Sequence, residues 1–434
     1  MSEFTIGLAG LGAMFVLMIL RTPVGMAMLV VGFFGVMILN GSRSANAVLL
    51  TETFSATSSY SLTVIPLFIL MGNIASAAGF SSRLYEAAFA WVGRLRGGLA
   101  SASIMGCAAF AAVSGSSVAT AVTIGRVALP QMKRFGYSNA LATGSIAAGG
   151  TLGFLIPPST GFVIYAILTE QSIGQLFMAG ILPGLLLTAL FMATVTLIAW
   201  HDPSAGPRGA AVPLRERFKA LALAFPLLLV IVVSIGGIYL GVFTPVEAAG
   251  VGAGLVILMA LASGKLDRRS ATRAVSDTVR TTAMLYLIII GASVLNPFLA
   301  LTHVPATLGE AMTSVGLGPY GVLFLILLTY VVLGMFMDGL AMLVVTTPIF
   351  FPIVMSLGFD PIWFGVIAVI VIEMGMITPP VGINVFVVKS VAKDVPMSTI
   401  FRGVLPFWFA MAACLLAIVL FPQIALLIPQ AMFQ

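Results

Sequence analysis

Two proline pairs set inside long apolar stretches constrain this chain more than any other feature. Pro157-Pro158 interrupts the run 149–161, and Pro379-Pro380 interrupts the run 374–384. Proline removes a backbone donor and clashes with the preceding turn, so neither stretch is one continuous helix. In hydrocarbon the freed backbone groups are costly unless they face protein or a wet cavity. Either pair alone reads equally well as a packing kink. Interruptions at corresponding places in two halves point instead to the binding site of a transporter.

The surroundings are those of a membrane protein. The chain has 434 residues, 60% hydrophobic and only 8% charged, against about 25% charged in a soluble domain. Apolar runs of spanning length recur from end to end, which predicts an all-α polytopic membrane protein in the lipid bilayer. The alternating segments of a transmembrane barrel are missing. A net charge of +6 fits basic cytoplasmic loops and calls for no nucleic acid partner. Cys107 and Cys414 are far apart and frame neither a disulfide set nor a metal site. His201 and His303 sit in loops without partners, so no enzymatic constellation emerges. Residues 1–4 carry no basic n-region, so 6–20 reads as a retained helix.

In chain order, spans are expected at 6–20, 24–39 and 62–78, with a polar surface segment at 41–59. Residues 82–96 and 265–280 read as amphipathic interfacial helices. Residues 99–113 and 118–131 are apolar limbs around a Ser114–Ser117 tip. Each limb is about 15 residues, roughly 22 Å of helix, short of the ~30 Å hydrocarbon. A re-entrant hairpin fits, and so do two short spans with a turn at the serines. A second hairpin candidate covers 320–355, with Asp338-Gly339 at its tip. The broken helices are 140–168 and 364–389, and further spans are expected at 175–200, 220–240, 246–262, 284–300 and 404–427. With every Lys and Arg except Arg43 and Arg126 placed inside, both termini fall outside.

Shifted by 222 positions, the chain matches itself. Thr22-Pro23-Val24 falls on Thr244-Pro245-Val246, Pro130 on Pro352, Gly136 on Gly358, and Pro157-Pro158 on Pro379-Pro380. Basic residues flank the first hairpin, whereas 301–319 and 356–361 contain none. The expected plan is therefore two inverted repeats, 1–210 and 220–434. Each holds scaffold helices (6–39; 220–262), a hairpin (99–131; 320–355) and a broken helix (140–168; 364–389).

Gly115–Thr120, Pro130–Tyr137, Gly149–Pro158 and Gly375–Gly382 together resemble the large membrane subunit of tripartite ATP-independent periplasmic (TRAP) transporters, the DctM-like permeases of the ion transporter superfamily. The resemblance covers essentially the whole chain. It implies an elevator-type importer in the bacterial inner membrane, driven by sodium ions, two or more. It also implies a soluble periplasmic substrate-binding protein and a separate small four-helix membrane subunit. The cargo it implies is an organic acid, a C4-dicarboxylate or a sialic acid.

Sodium prefers oxygen ligands, which hairpin tips and unwound backbone provide. One expected site joins Ser114, Ser116, Ser117 and Thr120 to Thr378, Val381 and Gly382. The other joins Asp338, Gly339 and Met342 to Gly153, Pro157 and Ser159. Helix N-capping is an equally available role for Ser116, Ser117 and Asp338. Asp338, an acid at membrane depth, could instead neutralise sodium or exchange a proton. Glu373 reads as a buried charge or a solvated end. An anionic substrate would be held by half-helix N-termini at Ser116, Ser159, Thr160, Gly161, Pro380 and Asn384. Arg126 would attract a carboxylate or snorkel to the interface. A stand-alone dicarboxylate or anion carrier of the same superfamily, and a channel, are the competing functions.

Overall fold

The computed structural model describes residues 2–209, 212–314 and 316–432. The first half comprises α1 (Glu3–Ile19), α2 (Val24–Ser58), a short 3-10 turn (Tyr60–Thr63), α3 (Val64–Ala77), α4 (Phe80–Val92), α5 (Gly98–Ser114), α6 (Ser117–Arg134), α7 (Asn139–Leu155), α8 (Thr160–Thr169) and α9 (Ile173–His201). The second comprises α10 (Leu214–Tyr239), α11 (Pro245–Ala262), α12 (Arg268–Leu301), α13 (Val304–Ser314), α14 (Gly318–Gly334), α15 (Gly339–Ser356), α16 (Pro361–Met376), α17 (Ile383–Val391), α18 (Met397–Leu420) and α19 (Gln423–Ala431). Among the described residues, nine segments are long and apolar enough to cross a membrane, one of them α7 and α8 taken together.

Local chemistry sets many of the starts. Ser116, Ser138, Ser159 and Ser172 each accept from a backbone N–H in the first turn of the helix they precede. Thr244 and Glu247 complete a reciprocal capping box before α11. Asp338 and Asp360 cap α15 and α16. Each such cap contributes about 1 kcal/mol.

Several expectations from the sequence need correction. Residues 41–59 lie largely at the surface as expected, but they are helical: α2 breaks at Gly41 (φ 81°, ψ 169°), and a second helical segment runs on to Ser58. The interfacial segment 265–280 and the span 284–300 are one 34-residue helix, α12. The final span ends at Leu420, and α19 begins after Pro422. Helix α13 was not anticipated. For the basic segment, tertiary contact supplies what the local pattern lacks. Thr278, in the basic segment, is buried and receives the Asn73 amide at 2.9 Å, docking α12 on α3.

Helices α2 and α12 pack along much of their length. A Cβ on Gly25 would lie 2.5 Å from the Leu287 carbonyl oxygen, so the two backbones are nearly in contact. Helix α3 lies on α11 and α12, and α4 on α5 and α10. The α5–α6 hairpin packs on α7, and the α14–α15 hairpin on α16. The second limb of each also reaches across the molecule, α6 to α17 and α15 to α8.

Candidate functional site

The first hairpin closes on the first break. Gly115, at φ +60°, turns the chain between α5 and α6. Its carbonyl accepts from the Thr160 hydroxyl at 2.7 Å and the Thr160 amide at 3.3 Å. A Cβ on Gly153 would stand 2.4 Å from the Ser116 carbonyl oxygen, so α7 meets the tip backbone to backbone. Helices α7 and α8 together make a 31-residue spanning unit, and the tip ends beside its interruption. A hairpin that stops partway along a spanning unit fits the re-entrant geometry better than two complete crossings.

The second hairpin closes on the second break in the same manner. The Gly382 amide, at φ +61°, donates to the Met335 carbonyl at 3.4 Å. A Cβ on Gly334 would lie 2.8 Å from the Gly375 Cα. Both proline pairs hold a cis peptide bond. The main-chain bonds thus pair each tip with the break of its own half. Contact between halves runs through side chains and limbs. Ser117 faces Glu373, and the Gly339 position lies 3.6 Å from the Phe154 ring. At the hairpin base, Lys133 Nζ donates to both carboxylate oxygens of Asp394 at 2.6 Å.

The expected cation ligands fall as follows. Ser114 Oγ and Thr120 Oγ1 are 2.8 Å apart and buried. Ser116 caps α6 through Ala119 N, and Ser117 is buried beneath it. Gly153 and Pro157 are buried with the break, and the Ser159 hydroxyl donates to the Phe154 carbonyl. Asp338 Oδ1 accepts from Leu340 N and Ala341 N at 3.1 Å each, a capping role. Gly339 and Met342 are buried behind it. The Thr378 hydroxyl donates to Met374 O at 2.6 Å and accepts from Trp408 Nε1 at 3.0 Å. Val381 is half-buried, Gly382 is buried, and Pro379 and Pro380 are exposed. The first break is therefore closed over and the second is open. The side chains of Ser114, Ser116, Ser117 and Thr120 at the first tip offer oxygen, the donor type a hard monovalent cation prefers. Among the described residues no group of three His, Cys, Asp or Glu could form a metal centre.

A cavity of about 210 Å³ lies between the tips and the α3–α12 layer. Ser114, Ser116 and Thr160 line it from one side, Asn73, Ser76 and Thr281 from the other, and Leu340 closes it from the second tip. Of the expected anion-binding residues, Ser116 and Thr160 border this space. The Gly161 position abuts the Phe154 ring, the Asn384 amide is spent on Glu373, and Arg126 is exposed on the side of α6. Asn73, Ser76 and Thr281 escaped the sequence reading. The signal was present in Asn73, an amide inside an otherwise apolar span. A larger hollow, about 650 Å³ between α12, α13 and α15, touches neither tip nor break.

These features, a multi-pass helical protein with two hairpins closing on two proline-broken helices around a small polar cavity, define a membrane transport protein. The chain belongs to the family described as tripartite ATP-independent periplasmic transporter, DctM component, which it matches over residues 11–424. It is 38% identical over 379 residues to the C4-dicarboxylate TRAP transporter large permease protein DctM of Pseudomonas aeruginosa, covering 87% of this chain and 88% of that one. It is 33% identical over 410 residues to the sialic acid TRAP transporter large permease protein SiaM of Vibrio cholerae, covering 94% and 95%. In fold it is similar to the YdaH transporter of Alcanivorax borkumensis, described as having an unusual topology, with a TM-score of 0.61 at 15% identity over 90% of this chain and 88% of that one.

Proposed function

We propose that this permease imports an organic acid, a C4-dicarboxylate or a sialic acid, coupled to sodium. The cargo is delivered by a periplasmic binding protein, and a separate small four-helix subunit docks on the scaffold. The observation that carries the reading is the polar cavity of about 210 Å³ bordered by the first tip, the first break and the opposing α3–α12 layer. Half-helix N-termini at Ser116 and Ser159 turn backbone N–H groups towards this region, where negative charge is favoured. The hydroxyls of Ser114 and Thr120 are the first ligands for sodium.

The two halves are inverted copies in the inner membrane, with both termini periplasmic. The hairpins and broken helices move together against α2, α3, α10, α11 and α12 as an elevator. Support for this comes from the backbone contact between each hairpin and its own broken helix, which makes each pair a rigid unit.

The test is reconstitution in liposomes with the neighbouring binding protein and small subunit. Uptake of succinate and of sialic acid is measured with sodium, potassium or a proton gradient as the sole driving force. Uptake of one acid under the sodium gradient alone is expected. Equal uptake without sodium would remove the coupling, and uptake without the binding protein would make the chain a stand-alone carrier.

A further inference from the structure

Arg126 is the one charged residue within the length of a hairpin limb. Lys133 and Arg134 close the end of α6, and α5, α14 and α15 carry no charge. Arg126 is exposed, and its guanidinium enters no ion pair: among the described residues those pairs are Lys133–Asp394 and His303–Glu3. A cation within a membrane-embedded limb faces a water-filled space or a partner by default.

Helix periodicity gives the direction it faces. Ser116, Ala119 and Thr123 of α6 line the polar cavity of about 210 Å³. Steps of three and four residues carry the same face on through Arg126, Pro130 and Lys133. That face is half-buried beside the cavity and exposed from Arg126 onwards, whereas Ala121, Ile124 and Ala128 on the other side are buried. Arg126 stands about 15 Å along the helix from the tip and about 10 Å from Lys133. The cavity therefore continues as an open strip along α6 to the base of the hairpin.

Nothing along the strip neutralises the charge. Asn73, Ser76 and Thr281 on the facing wall are neutral. Asp277, one turn before Thr281 on α12, is exposed and belongs to neither ion pair. At the base, Lys133 is already taken by Asp394.

We propose that Arg126 is a second anion-binding position, on an aqueous strip between the cavity and the base of the first hairpin, where the carboxylate of an organic acid is held in passage. This rests on the reading of the cargo as an organic acid and deepens it. The cavity offers main-chain N–H groups near Ser116 and Ser159, whereas Arg126 adds a full positive charge and a planar fork that takes a carboxylate by two bonds. A cleft of one sign of charge raises the local concentration of the opposite ion.

The position has no charged counterpart in the other hairpin. Residue 348, 222 positions later, is Pro348, which borders the larger hollow of about 650 Å³ beside α15. The same place on both hairpins looks onto open space, and only the first puts a cation there.

The test uses the purified full chain in lipid nanodiscs, with Cys107 and Cys414 buried and silent. T123C is modified with an anionic and with a cationic methanethiosulfonate of similar size. Both should react, and R126Q should lower the anionic-to-cationic rate ratio about fivefold, the effect of one unit charge roughly 8 Å away in water. R126K should preserve the ratio. Excess succinate or sialic acid should slow the anionic reagent, much less so with R126Q present, and neutral succinamide should not slow it. A119C repeats the series if T123C fails to fold. No reaction at either cysteine, a ratio unmoved by R126Q, or no slowing by either acid would overturn the proposal. The rate ratio involves neither sodium nor transport, so its failure is distinct from failure of the uptake experiment.

Discussion

Thr160 and Gly115 lie 45 residues apart, yet the Thr160 hydroxyl donates to the Gly115 carbonyl at 2.7 Å. The Thr160 amide donates to the same oxygen. Both lone pairs of that carbonyl are occupied, so the tip is fastened to the break by the group that would otherwise ligate an ion.

Replacing Thr160 by valine keeps the shape and removes the hydroxyl. T160V should cost about 1 kcal/mol of stability, the net worth of one hydrogen bond, and T160S should cost little. Thermal unfolding in detergent reads the difference. Equal behaviour of the two variants would mean that the amide alone holds the tip.

Gly153 admits no side chain. A Cβ there would stand 2.4 Å from the Ser116 carbonyl oxygen, which is backbone and cannot swing away. G153A should destabilise by about 1–3 kcal/mol. G254A is the control: nothing lies within 4 Å of its Cβ, and alanine favours a helix by about 1 kcal/mol. A drop in melting temperature of the same size for both would mean that the loss in G153A does not report the tip contact.

The Ser114–Thr120 hydroxyl pair bears on coupling. S114A and T120V should each raise the sodium concentration needed for half-maximal uptake, while the substrate concentration dependence at saturating sodium changes less. Unaltered sodium dependence in both would leave the pair as a structural clasp.

Asp394 gives a pH dependence with a defined sign. The hydrogen bond from Lys133 holds its carboxyl below the ordinary carboxylate value. A depressed folded value adds stability above the unfolded value, about 3.9 for Asp. That stability is lost as pH falls through the folded value. D394N should therefore be less stable than wild type at neutral pH, with the gap closing below about pH 4. High salt should shrink the gap at neutral pH, because the pair is exposed.

Membrane orientation can be read with single cysteines, because Cys107 and Cys414 are both buried. Ser42 and Ser263 are exposed. In intact cells with a permeable outer membrane, an impermeant maleimide should label S42C and leave S263C unlabelled. Labelling of both from outside would reverse the assignment drawn from basic residues.

Much of this was legible in the chain. Apolar runs marked the spans because hydrocarbon demands them, and Pro157-Pro158 and Pro379-Pro380 marked the breaks because proline cannot donate. Ser116 and Asp338 announced helix starts by residue type alone. That the polar segment after Gly41 is helical was not legible, since residues such as Ser42, Arg43 and Ser44 carry no apolar periodicity. The union of the basic 265–280 segment with the following span was hidden too. Its burial depends on Thr278 meeting Asn73, more than two hundred positions away in the chain.

By itself the sequence determined that the chain enters a bilayer, where it must unwind, and which family it resembles. Those outcomes follow from composition and from prolines, properties a residue carries with it. Which tip meets which break, and that Glu373 lies sealed against Asn384, were decided only by tertiary structure. Such pairings depend on how close two backbones come, at Gly153 against Ser116 and Gly334 against Gly375, and distances between remote segments are set by packing.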